Sequence, residues 1–102
     1  HIIVISSIMG SITDNQRGRS YAYRASKAAL NCVMRSFAID VKQFGIKVML
    51  LNPGWVKTNI GGPDAITSVE ISVAGMLKQM DLYIDASHAD TIRQFDGGTI
   101  PW

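Results

Sequence analysis

Two short, largely apolar runs, residues 2–5 and 46–51, bracket a stretch from 21 to 44 that holds neither glycine nor proline. A strand buried on both faces reads as a continuous apolar run instead of an alternation, which is the habit of parallel sheets. Parallel neighbours need a crossover of a dozen or more residues, and the uninterrupted stretch supplies one of helix-forming composition. Residues 1–51 therefore read as strand, loop, helix, strand, with the loop in segment 11–20, made almost wholly of Ser, Thr, Asp, Asn, Gln, Arg and Gly. Gly45 stands where a left-handed residue ends a helix, and it keeps the step to the second strand short.

At roughly 100° per residue, Leu30, Val33, Met34, Phe37, Val41 and Phe44 fall on one stripe with Tyr23, and Lys27 lies at its margin. That stripe is the face expected against the sheet. Ala25, Ala28, Cys32 and Ile39 form a weaker second strip, and Arg24, Arg35 and Lys42 group on a flank that reads as solvated. Farther on, Thr67 and Glu70 have capping-box spacing. Val69, Val73, Met76, Leu77, Met80 and Tyr83 then recur at helical period, predicting a second helix to about Ile84. Residues 91–95, the turn Asp96, Gly97, Gly98, and residues 99–102 read as a short strand, a turn and a closing extended segment.

Composition narrows the function classes. With 47% hydrophobic and 18% charged residues the chain is not a disordered one. Its ten Lys and Arg against eight Asp and Glu are scattered, so neither a nucleic-acid nor a membrane partner is expected. Cys32 is the sole cysteine, and His1 and His88 are far apart, so no disulfide and no metal site is expected, with His88 at the surface. No apolar run approaches the ~20 residues of a bilayer crossing, and no basic leader opens the chain; a cytoplasmic protein is the expectation.

In an open parallel sheet, ligands bind outside the carboxyl ends of the strands. The first strand delivers Ser6 and Ser7 to that edge, and the second delivers Asn52, Pro53, Gly54, Trp55, Val56, Lys57 and Thr58. Tyr23 and Lys27, at i and i+4, share one face of the intervening helix near the same edge. A phenol is a poor proton relay at neutral pH unless a neighbouring cation favours its anion, which is what an ammonium at this spacing does. A serine hydroxyl that holds a carbonyl oxygen against the phenol leaves the carbonyl carbon open to a hydride donor. The set suits carbonyl reduction or its reverse. Side chains alternate along a strand, so only one of Ser6 and Ser7 faces such a site, and periodicity does not choose between them.

The run Tyr23, Arg24, Ala25, Ser26, Lys27, with Ser7 ahead of Ile8, Met9 and Gly10 and the loop from Pro53 to Thr58 behind it, resembles the short-chain dehydrogenases/reductases. With the closing Ile100, Pro101, Trp102 it is similar to their sniffer-like and C-factor-like carbonyl reductases. The resemblance spans nearly the whole chain. It implies an α/β fold, a Rossmann-like doubly wound parallel sheet present only as its carboxyl-terminal half: strand, helix, strand, helix and a short terminal strand. By resemblance Ser7, Tyr23 and Lys27 are the catalytic residues, and Ser7 is the serine preferred over Ser6. Tyr23, Lys27, Pro53, Gly54, Val56 and Thr58 meet the cofactor, and Met9 and Trp55 wall the substrate, with the segment after Thr58 as a flap. The implied cofactor is NADP(H), with NAD(H) not excluded, and the implied partner is a small-molecule carbonyl. A homodimer or homotetramer is in keeping with the family and the second apolar strip.

The family's glycine-rich turn after a first strand, which holds the pyrophosphate, has no counterpart among these residues, and neither has its catalytic asparagine. Residues 1–102 are therefore expected to be the carboxyl-terminal catalytic portion of one longer domain whose nucleotide-binding half is absent, inactive when isolated. The alternative reading is a non-catalytic or truncated family member acting in interaction or signalling.

Overall fold

The computed structural model describes residues 1–86 and 89–102, so the expectation for His88 lies outside the described residues. Strand β1 (Ile2–Ile5) leads through a 3₁₀ turn at Ile8–Gly10 and a surface loop into helix α1 (Tyr21–Val41). The helix tightens into a 3₁₀ turn at Lys42–Phe44, and Gly45, at φ 71°, ends it in the left-handed conformation expected of that position. Strand β2 (Val48–Asn52), helix α2 (Val69–Tyr83) and the hairpin of β3 (Ile92–Gln94) with β4 (Thr99–Ile100) complete the order.

The sheet order is β1-β2-β3-β4, with the first two pairings parallel and the last antiparallel. Val48, Leu50, Ile92 and Ile100 form the buried cluster with Ala38 of α1, and Ile2, Val4, Met34, Val41 and Trp102 pack against it. Successive strand residues point to opposite faces. Arg93, next to Ile92, accordingly lies on the other face, where its guanidinium sits 3.8 Å from the ring centroid of Tyr83 on α2. The two helices thus take opposite faces, as a doubly wound α/β sheet requires. This is the expected half of a Rossmann-like fold.

Two local expectations are corrected. The face of α1 turned inward keeps Met34 and Val41 of the predicted stripe on the core but centres on Asn31 and Ala38, its buried residues, and leaves the rest of the stripe to one side: Val33 is 61% and Phe44 72% exposed. Small side chains decide this. Gly10 comes so close that a Cβ there would lie 2.7 Å from Asn31 Nδ2 and 2.9 Å from the Lys27 carbonyl carbon, a separation that larger residues on the contact line would forbid. The same rotation brings in Arg24, read as solvated: its guanidinium donates to the carbonyls of Gly18, Arg19 and Met9 and ties the 11–20 loop to the helix.

The start of α2 is also one residue later than the capping-box spacing indicates. Thr67 pairs in a parallel bridge with Val56, its N–H donating to Trp55 and its carbonyl accepting from Lys57, so its backbone is already committed. Ser68 caps the helix instead, its Oγ accepting from the Ile71 N–H at 3.3 Å. Hydrogen bonds from the Glu70 backbone N–H and from Ser68 hold the Glu70 carboxyl below the usual carboxylate range.

Candidate active site

Three parallel strands end at one edge, so β3 adds Gln94 and Phe95 to the Ser6–Ser7 and Asn52–Pro53 ends read from the sequence. At that edge the Lys27 ammonium lies 5.9 Å from the Tyr23 ring centroid and donates to the Ile5 carbonyl at 3.1 Å. One side chain therefore links the phenol on α1 to the last residue of β1, two positions before Ser7. Tyr23 is 43% exposed and open to solvent on one side.

The two serines part company as alternation demands. Ser6 is buried, and its hydroxyl donates to Asn31 Oδ1 at 2.5 Å across to α1. Ser7 keeps accessible surface, and its Oγ accepts the Met9 N–H at 3.1 Å at the head of the 3₁₀ turn. Removing the Ser6 hydroxyl strands a buried amide whose Nδ2 already has no partner. Ser6→Ala should therefore cost about 1–3 kcal/mol, read by urea unfolding of the protein carrying this sequence; an unchanged midpoint would show that the pair contributes nothing.

The Pro53 to Thr58 segment is braced from below and closed on itself. The Ser72 hydroxyl of α2, fully buried, donates to the Pro53 carbonyl at 2.7 Å. Gly54 lies at φ 81°, and a Cβ there would sit 2.6 Å from the Phe95 ring. Trp55 Nε1 donates to the Gly61 carbonyl at 2.8 Å, while Thr58 Oγ1 donates to the Val56 carbonyl and accepts the Gly61 N–H. The Trp55 indole N–H and the Thr58 hydroxyl are thus engaged within their own loop. The segment expected as a flap folds back through these bonds and the Val56–Thr67 bridge. Met9 is half-buried in the serine turn, its carbonyl held by Arg24.

Asn31, Ser72 and Phe95 escaped the sequence reading, and Asn52 was placed at the strand edge without a role. A faint signal existed for two of them, since Asn31 and Ser72 are polar residues that fall among apolar helix positions. Nothing in the order of residues marks Phe95, whose role arises only when β3 joins the sheet. A cavity of about 350 Å³ opens at the opposite edge, between the end of α1 and the start of β2, lined among others by Arg35, Lys42 and Lys47. It contains none of the residues above, and that edge is not where open parallel sheets bind ligands. Among the described residues no cluster of three potential metal ligands occurs, and no helix is long and apolar enough to cross a membrane.

Comparison with known proteins agrees with this geometry. Residues 1–67 match the family model described as short chain dehydrogenase. The chain is 43% identical over 98 residues to the C-signal protein of Myxococcus xanthus, covering 96% of this chain and 58% of that one. A short-chain dehydrogenase/reductase from Burkholderia multivorans with bound NADP superposes with a TM-score of 0.88 at 42% identity, over 99% of this chain and 43% of that chain. The carbonyl reductase Sniffer of D. melanogaster superposes with a TM-score of 0.89 at 35% identity, over 98% and 41%. The chain thus spans from about two fifths to three fifths of the length of these proteins. With a family match over more than half its residues and a sheet, a helix pair and a Tyr23–Lys27 edge laid out as described, the chain belongs to the short-chain dehydrogenase/reductase family.

Proposed function

We propose that the protein carrying this sequence is an NADP(H)-dependent oxidoreductase that moves a hydride between nicotinamide and a carbonyl or secondary alcohol. The observation that carries the reading is the position of Lys27, beside the Tyr23 ring and bonded to the strand end that precedes Ser7. In this reading Tyr23 gives its phenolic proton to the carbonyl oxygen, or takes it back in the reverse direction. The Lys27 ammonium stabilises the negative charge that develops on the phenol oxygen. The Ser7 hydroxyl donates to the same carbonyl oxygen and orients it.

The chemistry of the donor set fits the nicotinamide end of the cofactor. An ammonium and a phenol lie together at the sheet edge from which β2 sends out the Pro53–Thr58 loop, and Lys27, Tyr23, Pro53, Gly54, Val56 and Thr58 are the residues assigned to hold it. When bound, the nicotinamide supplies or accepts the hydride. Residues 1–102 include no glycine-rich strand-to-helix turn for the pyrophosphate, so only the nicotinamide–ribose contact is assigned to them. The phosphorylated cofactor is preferred because a structural neighbour carries NADP. Met9 and Trp55 are assigned to the substrate wall.

The test is reduction of a panel of aldehydes and ketones by NADPH carrying deuterium at both C4 positions. Deuterium is expected at the new carbinol carbon, one per NADPH consumed. Failure of the protein carrying this sequence to bind NADPH, or NADPH binding without transfer to any panel member, would overturn the reading. A second reading, a non-catalytic signalling or interaction protein, is favoured by the similarity to the C-signal protein. It predicts the absence of NADPH binding in the same experiment.

A further inference from the structure

Asn52 is the last residue of β2 and is 2% exposed. Its Oδ1 accepts the Ile8 N–H at 3.2 Å, its Nδ2 donates to Gln94 Oε1 at 3.4 Å, and its carbonyl accepts the Phe95 N–H at 3.1 Å. One residue thereby joins the turn after β1, the end of β2 and the end of β3, and the next residue in the chain is Pro53. The Ile8 N–H belongs to the peptide plane whose carbonyl is that of Ser7, so the bond from Asn52 fixes the backbone on the carboxyl side of Ser7. The Met9 N–H fixes the hydroxyl itself. A planar amide is the side chain suited to this place: it offers an acceptor toward Ile8 and a donor toward Gln94. Aspartate offers only acceptors and buries a charge.

We propose that Asn52 is a positioning residue that holds the serine turn at a fixed distance from the Pro53–Thr58 loop and acts on the carbonyl chemistry through Ser7. The inference rests on the role assigned to Ser7 above. Carbonyl chemistry is sensitive to such placement, since a displacement of about 1 Å can cost about 10²-fold in rate. A residue that merely stabilised the fold would lower activity whether or not Ser7 kept its hydroxyl.

The experiment is a double-mutant cycle on NADPH-dependent carbonyl reduction in the protein carrying this sequence, with Asn52→Ala, Ser7→Ala and the pair. Asn52→Ala is expected to lower kcat about 10- to 100-fold with KM for NADPH little changed. In the Ser7→Ala background the same change should cost less than about threefold. Equal losses in both backgrounds would overturn the proposal. Hydrogen exchange at the Ile8 amide of the unsubstituted protein is the second measurement and needs no variant. Protection is expected, and exchange at the rate of an open loop would overturn the tether. If the protein reduces no carbonyl, or Ser7→Ala leaves turnover intact, the functional reading fails, and that result is distinct from additivity in the cycle.

Discussion

Lys27→Met is expected to depress NADPH-dependent carbonyl reduction more than any other single replacement, beyond the loss from Tyr23→Phe. Removing a general acid costs on the order of 10²–10⁴-fold, and Tyr23→Phe is expected within that range, because phenylalanine keeps the ring and loses only the proton-bearing oxygen. Methionine keeps most of the aliphatic stem of Lys27 and loses the charge. That charge has two assigned tasks, stabilising the phenol oxygen and holding the nicotinamide ribose, and it also anchors the side chain to the Ile5 carbonyl. The loss should therefore reach the upper end of the same range or exceed it. The two variants should separate in steady-state kinetics: KM for NADPH rises more with Lys27→Met, which loses a charge, than with Tyr23→Phe, which keeps the ring against the nicotinamide. Near-normal turnover in both would end the proposed mechanism.

Gly54→Ala is expected to destabilise the protein through its backbone and its neighbour together. At φ 81° an L residue costs about 1–2 kcal/mol, and the added Cβ would meet the Phe95 ring at 2.6 Å. Relief requires the ring to move, yet Phe95 is also closed in from α2, where a Cβ at Gly75 would lie 3.0 Å from the ring and 2.5 Å from the Phe95 carbonyl oxygen. Overpacking of this kind costs about 1–3 kcal/mol, so a total of about 2–5 kcal/mol is expected in denaturant unfolding. Phe95→Ala makes the diagnostic partner. Combined with Gly54→Ala it should remove the collision but not the backbone strain, giving a double variant less destabilised than the sum of the two singles. Strict additivity would show that the ring does not brace the loop.

Both results probe an edge of which roughly half could be read without coordinates. The Tyr23–Lys27 pair is legible because i and i+4 on any helix lie side by side, and the Pro53 to Thr58 loop because it follows an apolar run. The choice between Ser6 and Ser7 was legible only by resemblance. In the structure Ser6 is occupied by Asn31, a bond between residues 25 apart that no local pattern announces. The braces beneath the loop, Ser72, Phe95 and Asn52, belong to the same class: each is an ordinary residue whose partner comes from another element.

What the order of residues determined by itself is the local grammar: two parallel strands, a long helix ended at Gly45, a second helix, and one phenol–ammonium pair. These depend on side-chain periodicity and backbone preference, which act over a few residues and survive any context. That both strands would be buried held for β2 alone, since β1 lies at the edge of this sheet with Ile5 exposed. Tertiary structure alone decided which side of α1 faces inward, where α2 begins, and which serine is buried, because each is a competition between contacts. Where Gly10 closes on α1 the inward face centres on Asn31 and Ala38, so that Met34 and Val41 stay on the core while Val33 and Phe44 are exposed. The bridge from Val56 claimed Thr67 before it could serve as a cap.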